Sequence, residues 1–184
     1  MRNVLIKSLK ELSQDKKTFI NIFILFLLCF GIGGAIATMG INIQKDTIIQ
    51  NQDVNSFKDI FLNNIKVSLL IFFTGFFTIG LVPMIIMFLN GLNFTAAFIF
   101  FSLTESFVFS IKHSIFHAPI ELLGFYFAFV PSLYLYTMFF KNLKKRQKNI
   151  ISKIINCLLI CILANTICLL IAALIEFEVI KLLK

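Results

Sequence analysis

Five ionisable residues crowd one short stretch of the chain: Glu105, Lys112, His113, His117 and Glu121. His113, His117 and Glu121 follow one another at intervals of four. On one continuous helix that spacing would stack two imidazoles and a carboxylate on a single face, a donor set for a metal ion. Pro119 works against such a helix, because in its interior the ring would clash with the carbonyl of Ile115 and delete a hydrogen bond. Proline is accommodated in a first helical turn, so a helix is expected to begin at Ala118–Pro119. Glu121 then lies in that first turn, where unpaired amides and the positive end of the dipole favour a carboxylate. The sequence therefore reads as a helix-start carboxylate with His117 beside it, and assigns no metal, cofactor or catalytic group there.

The other reactive side chains are read as packing residues. Cys157, Cys161 and Cys168 share a helical face and Cys29 stands apart; all four fall inside apolar stretches rather than in the aqueous segments where disulfide frameworks form. Small polarizable packing is the reading for them. No glycine-rich phosphate loop, no His-Glu-x-x-His and no nucleophile elbow occurs, so the chain is read as non-enzymatic and unable to power a pump alone. Among the polar residues of the apolar stretches, Asn90 and Asn93 share a helical face, where bonding between helices is expected.

These residues must be positioned by elements of a particular kind. Of the 184 residues 59% are hydrophobic and only 14% charged, more apolar surface than one aqueous core of this size hides. The apolar residues come in runs of about twenty, the length that crosses a hydrocarbon layer roughly 30 Å thick. The fold class expected is all-α, a single polytopic membrane domain of about five spans. These run over about 19–39, 66–82, 84–104, 119–140 and 154–175. The uncharged stretch Val67–Thr104 is too long for one span and is divided near Gly80–Pro83. Span one carries Gly31, Gly33, Gly34, Ala35 and Ala37, which let another helix approach closely. A kink is expected at Pro131. Residues 1–18 are charged and precede a long apolar run without a cleavage pattern, so the first span is read as retained.

Lysine and arginine set the orientation. Eleven of the seventeen lie in two segments: Arg2, Lys7, Lys10, Lys16 and Lys17, then Lys141, Lys144, Lys145, Arg146, Lys148 and Lys153. With five spans and a cytoplasmic N-terminus both segments face the cytoplasm, and the C-terminus is outside. The net charge of +8 is then an adaptation to anionic lipid rather than to nucleic acid. Lys144, Lys145 and Arg146 form a candidate docking surface for an acidic partner. Residues 4–12 place Val4, Leu5, Leu9 and Leu12 on one face, an interfacial amphipathic helix leading into span one. Ser56-Phe57-Lys58-Asp59 has capping-box spacing and starts a helix read as lying on the membrane surface before span two.

The middle of the chain carries a family pattern. Asn64-Ile65-Lys66-Val67 at the start of a span, then Gly75, then Asn90-Gly91-Leu92, then His117-Ala118-Pro119-Ile120-Glu121-Leu122 resembles the stage II sporulation protein M family in order and spacing. The resemblance covers roughly residues 61–125. Ala118 stands where the family usually has glycine, while His117 and Glu121 are retained. The resemblance implies a non-enzymatic protein of a bacterial cell membrane. It marks Asn64, Asn90, Gly91, His117 and Glu121 as structural or partner-binding positions.

Two roles follow from the resemblance. The namesake anchors a complex that brings wall-degrading partners to the septum during engulfment, a platform role that here would use residues 40–64 and 105–118. Other members resemble subunits of antimicrobial-peptide exporters or immunity systems. In that role the arm 2–15 and the loop 141–153 would dock a cytosolic ATPase. Lipid is the surrounding partner in both, self-association is compatible with both, and nucleic acid is a partner in neither.

Overall fold

A computed structural model of the chain describes residues 15–39, 56–144 and 150–183, and the fold they form is all-α. Six helices follow in order: α1 (Lys16–Met39), α2 (Phe57–Phe77), α3 (Leu81–Thr104), α4 (Phe107–Ile115), α5 (Ala118–Lys144) and α6 (Ile150–Leu183). All but α4 are long and apolar enough to cross a membrane. Ile24, Leu28, Ile32 and Ile36 of α1 and Leu159, Leu163 and Ile167 of α6 are exposed, a surface that lipid and not water satisfies. The amphipathic segment expected over residues 4–12 lies outside the described residues.

Three boundaries differ from the sequence expectation. Ser56 caps α2 as its spacing foretells: its Oγ accepts the Asp59 amide at 3.3 Å and donates to Asp59 Oδ2 at 2.8 Å. The helix it starts runs without a break into the second span, rather than lying apart on the membrane surface. Ile60, Asn64, Ser68, Ile71 and Gly75 form one buried stripe at helical spacing along it, and that shared face carries the helix past Lys58 and Lys66. The turn between α2 and α3 falls at Thr78-Ile79-Gly80, slightly before Pro83. Gly80 takes a φ of 82°, which glycine adopts freely, and Ile79 a φ of 54°, where a β-branched residue is strained. Pro83 sits in the first turn of α3, where no intrahelical donor is needed. The last helix has 34 residues and extends at both ends beyond the span expected over 154–175, bringing Glu176 and Glu178 onto it.

α5 is the central helix. Its apolar window is 56% buried, against at most 28% for the other four spans. Phe129, Val130, Tyr134 and Met138 on α5 pack with Ile71, Met87 and Leu169 in the core. Each of the three tyrosines bonds from α5 to the end of another span. Tyr126 Oη donates to the Phe19 carbonyl at 3.0 Å, Tyr134 Oη to Asp15 Oδ2 at 3.0 Å, and Tyr136 Oη to the Phe76 carbonyl. Pro131 lies within α5 without ending it.

α1 and α3 touch at backbone level. A Cβ placed on Gly33 would stand 2.0 Å from the Phe88 carbonyl oxygen, and one on Gly91 2.0 Å from that of Phe30. Phe30 opposes Gly91 and Gly34 opposes Thr95, so the two helices run parallel. Gly33 and Gly34 of span one thus find the close approach that small residues at a membrane interface allow, and Gly91 of the Asn-Gly pair supplies it from α3.

Interhelical hydrogen bonding settles on a different asparagine from the pair expected. Asn90 Nδ2 donates to the Ile86 carbonyl of its own helix at 2.8 Å. Asn165 does the bridging: its Oδ1 accepts Ser68 Oγ at 2.9 Å and its Nδ2 donates to the Gly124 carbonyl at 2.8 Å, joining α2, α5 and α6. Asn165→Leu is expected to destabilise the protein by about 1–3 kcal/mol, taking roughly 0.6–1.7 kcal/mol per interhelical bond. Ser68→Ala, which removes one bond, is expected to cost less. Thermal unfolding in mild detergent measures both, and an unchanged Asn165→Leu midpoint would refute the bridging role.

Candidate functional site at the His117 corner

The ionisable cluster is assembled at the end of the bundle where α3 finishes and α5 begins. Glu105 closes α3, its amide donating to the Phe101 carbonyl at 3.0 Å. Ser106 then takes an extended conformation and caps α4, its Oγ accepting the Phe109 amide at 3.0 Å. Ser102 Oγ donates to Ser110 Oγ at 3.0 Å, so the short helix is held back against α3. Phe101 and Phe109 flank His113 at ring-centroid distances of 5.3 and 6.1 Å. His113 meets His117 edge-on at 5.6 Å.

The chain breaks its helix before Pro119, as the proline argument requires. α4 ends at Ile115 and α5 starts at Ala118. His117 lies in the turn, and its carbonyl accepts the amides of Ile120 at 3.1 Å and Glu121 at 2.9 Å. Those two bonds fix Glu121 relative to His117 in the first turn of α5.

His117 is only 7% exposed, and its Nδ1 is buried without a hydrogen-bond partner. Burial, and then the neighbouring His113, hold its pKa down to about 4, against a smaller opposing effect of the His113 backbone. Burial lowers His113 as well. Both lowering effects on His117 favour the uncharged imidazole, the form that can offer a lone pair to a cation.

The structure adds a residue that spacing did not single out. Ligand atoms of His117, Glu121 and Glu176 all lie within 4.8 Å of one another, with His117 buried and the two glutamates half-buried. Glu176 arrives from late in α6, far downstream in sequence, so no local pattern signals it. Among the described residues no backbone amide, lysine or arginine pairs with either carboxylate. Glu121 thus faces a second acid and an imidazole instead of capping its own helix. An imidazole nitrogen and two carboxylates at this range can share protons or hold a cation.

The other singled-out residues are placed elsewhere. Glu105 and Lys112 are exposed and outside the cluster. His113 supports it through ring contact. Asn64 is buried on α2 with its Nδ2 unpartnered, one turn before Ser68. Gly91 belongs to the α1–α3 contact, and the half-buried Asn90 is bonded within its own helix. Lys144 is the last residue of α5, and Lys145 and Arg146 lie outside the described residues. Cys157 and Cys161 are free thiols in the core with their Sγ atoms 3.9 Å apart; Cys29 and Cys168 are free and half-buried.

The model of one protein family, Stage II sporulation protein M, matches residues 22–177, from within α1 to within α6. No curated protein and no solved structure matches the chain.

Proposed function

The chain belongs to the stage II sporulation protein M family of multi-pass membrane proteins, and on that premise we propose that it is a non-enzymatic membrane platform recruiting partner proteins for wall remodelling. In this reading the N-terminus and residues 141–153 face the cytoplasm, and the His117 corner lies at the outer end, beside the surface offered by residues 105–118. The basic segments favour that orientation through their attraction to an anionic inner leaflet.

The observation that carries the platform reading is the closed interior. Ile71, Met87, Phe129, Val130, Tyr134, Met138 and Leu169 are completely buried against one another through the middle of the bundle. The polar residues at that depth, Ser68, Asn165 and Ser132, spend their groups on each other and on the Gly124 and Phe129 carbonyls. A solute route needs a file of polar or charged groups facing a cavity. Two cavities, one beside Ser68 and Asn165 and one beside Lys17 and Asn21, share no lining residue, and a bundle with its centre packed in this way suits a scaffold better.

Charge reversal at Lys144, Lys145 and Arg146 tests the reading. Tagged protein is purified gently from its native membrane, and co-purifying proteins are identified for wild type and for the triple variant Lys144→Glu/Lys145→Glu/Arg146→Glu. A platform that works through its outer surface retains its wall-remodelling partners in both. Recovery of a transport ATPase with wild type and its loss from the variant would replace this reading with an exporter or immunity subunit.

A further inference from the structure

We propose that His117, Glu121 and Glu176 together bind one divalent transition-metal ion of the zinc class, clamping the start of α5 to the end of α6. The inference does not depend on the platform reading, and it departs from the metal-free corner expected from sequence.

Geometry is the first argument. One ligand atom from each of the three residues lies within 4.8 Å of the other two. Ligands of a tetrahedral zinc ion, bound at about 2.1 Å, stand roughly 3.4 Å apart, so modest side-chain rotations close the set. His117 and Glu121 are already locked to each other by the amide bonds to the His117 carbonyl. Only Glu176 comes from a separate element, and binding would tie that element in.

The second argument is a buried group with nothing to bind. His117 is more than nine-tenths buried, its Nδ1 has no partner, and the ring is a member of the cluster itself. Two carboxylates converge on this ring without a lysine, an arginine or a backbone amide among the described residues to offset them. Three acceptors gathered in an apolar corner are costly when left uncompensated. A single cation answers all three at once.

The donor set narrows the ion. One imidazole with two carboxylates is a borderline set, suited to zinc and neighbouring first-row ions and less to magnesium or calcium, which prefer oxygen alone. Three protein ligands leave a fourth position open, as in zinc sites that take water or an incoming ligand. The ring contact of His113 with His117 limits the freedom of the ligand ring.

The test uses the full chain, purified in mild detergent with a tag free of histidine. Zinc is the probe, quantified by elemental analysis after exhaustive washing, and thermal unfolding is followed with chelator and after zinc is restored. Wild type is expected to hold about one zinc per chain. Its melting temperature should fall with chelator and recover with zinc. Glu176→Gln, which keeps the side chain's shape, should retain at least roughly tenfold less zinc while remaining monodisperse. If that variant fails to fold, Glu121→Gln is read in its place, with the same loss of zinc expected. Wild type without zinc, and indifferent to chelator and to added zinc, would overturn the proposal in favour of carboxyl groups sharing a proton. Zinc retained equally by Glu176→Gln would overturn it too, because the ion would then not join α5 to α6 through Glu176.

Discussion

Gly33→Ala and Gly91→Ala are each expected to collapse the protein's stability, while Gly31→Ala, two residues from Gly33 on the same helix, leaves it intact. The three substitutions add the same methyl group. At Gly33 that carbon would stand 2.0 Å from the Phe88 carbonyl oxygen, 2.9 Å from its carbon and 3.0 Å from the Leu92 nitrogen. At Gly91 it would stand 2.0 Å from the Phe30 oxygen and 2.8 Å from its carbon. Every one of those atoms is backbone, so no rotamer change relieves the clash, and the helices must separate. At Gly31 nothing lies within 4 Å.

Membrane helices associate through close packing rather than through expulsion of water, so separation along the α1–α3 seam forfeits most of what joins the pair. The expected loss is about 4 kcal/mol or more, the range reserved for substitutions that break a specific structural feature. Because both glycines serve one contact, the double variant should cost much less than the sum of the two. Thermal unfolding in detergent, read as loss of the monodisperse species, separates the cases. Equal midpoints for Gly31→Ala and Gly33→Ala would show that the seam is not closed at backbone level.

This contrast marks how far the sequence could be read. The number and character of the spans were legible because each needs about twenty apolar residues, and Pro119 located the break before α5 by its missing amide. The small residues of span one announced a close approach, yet nothing local named Gly91 as the partner, since pairing between helices is set by the whole bundle. The expected break near Gly80–Pro83 holds at its Gly80 edge only, because proline tolerates a first helical turn and the chain reverses at Gly80. Asparagine was the weakest guide. Asn90 satisfies itself on a carbonyl one turn back, while Asn165, with no partner at helical spacing, reaches two other helices.

The His117 corner was half legible. His117 and Glu121 share a turn, and the spacing of four with the intervening proline fixed their relation. Glu176 joins them only because α6 continues past the length a membrane needs, carrying a carboxylate back to the start of α5. A residue that far along the chain obeys no spacing rule. Its arrival changes the chemistry of the corner from a capped helix start to a convergent donor set.

The arrangement of the five spans across the membrane is the central claim, because it decides which surface meets which partner, and it is open to a direct measurement. Single cysteines are introduced as Asn51→Cys, Ser114→Cys and Asn149→Cys, and intact cells are treated with a membrane-impermeant thiol reagent. The four native thiols lie within the spans and supply the unreactive background. Eleven of the seventeen lysines and arginines lie at or before the start of span one and in the segment 141–153 between spans four and five, and the proposed orientation puts both on the inside. Asn51→Cys and Ser114→Cys should therefore label strongly, and Asn149→Cys only after the cells are broken open. Labelling of Asn149→Cys in intact cells with protection of Asn51→Cys would contradict the orientation, and opposite behaviour of Asn51→Cys and Ser114→Cys would contradict the five spans themselves.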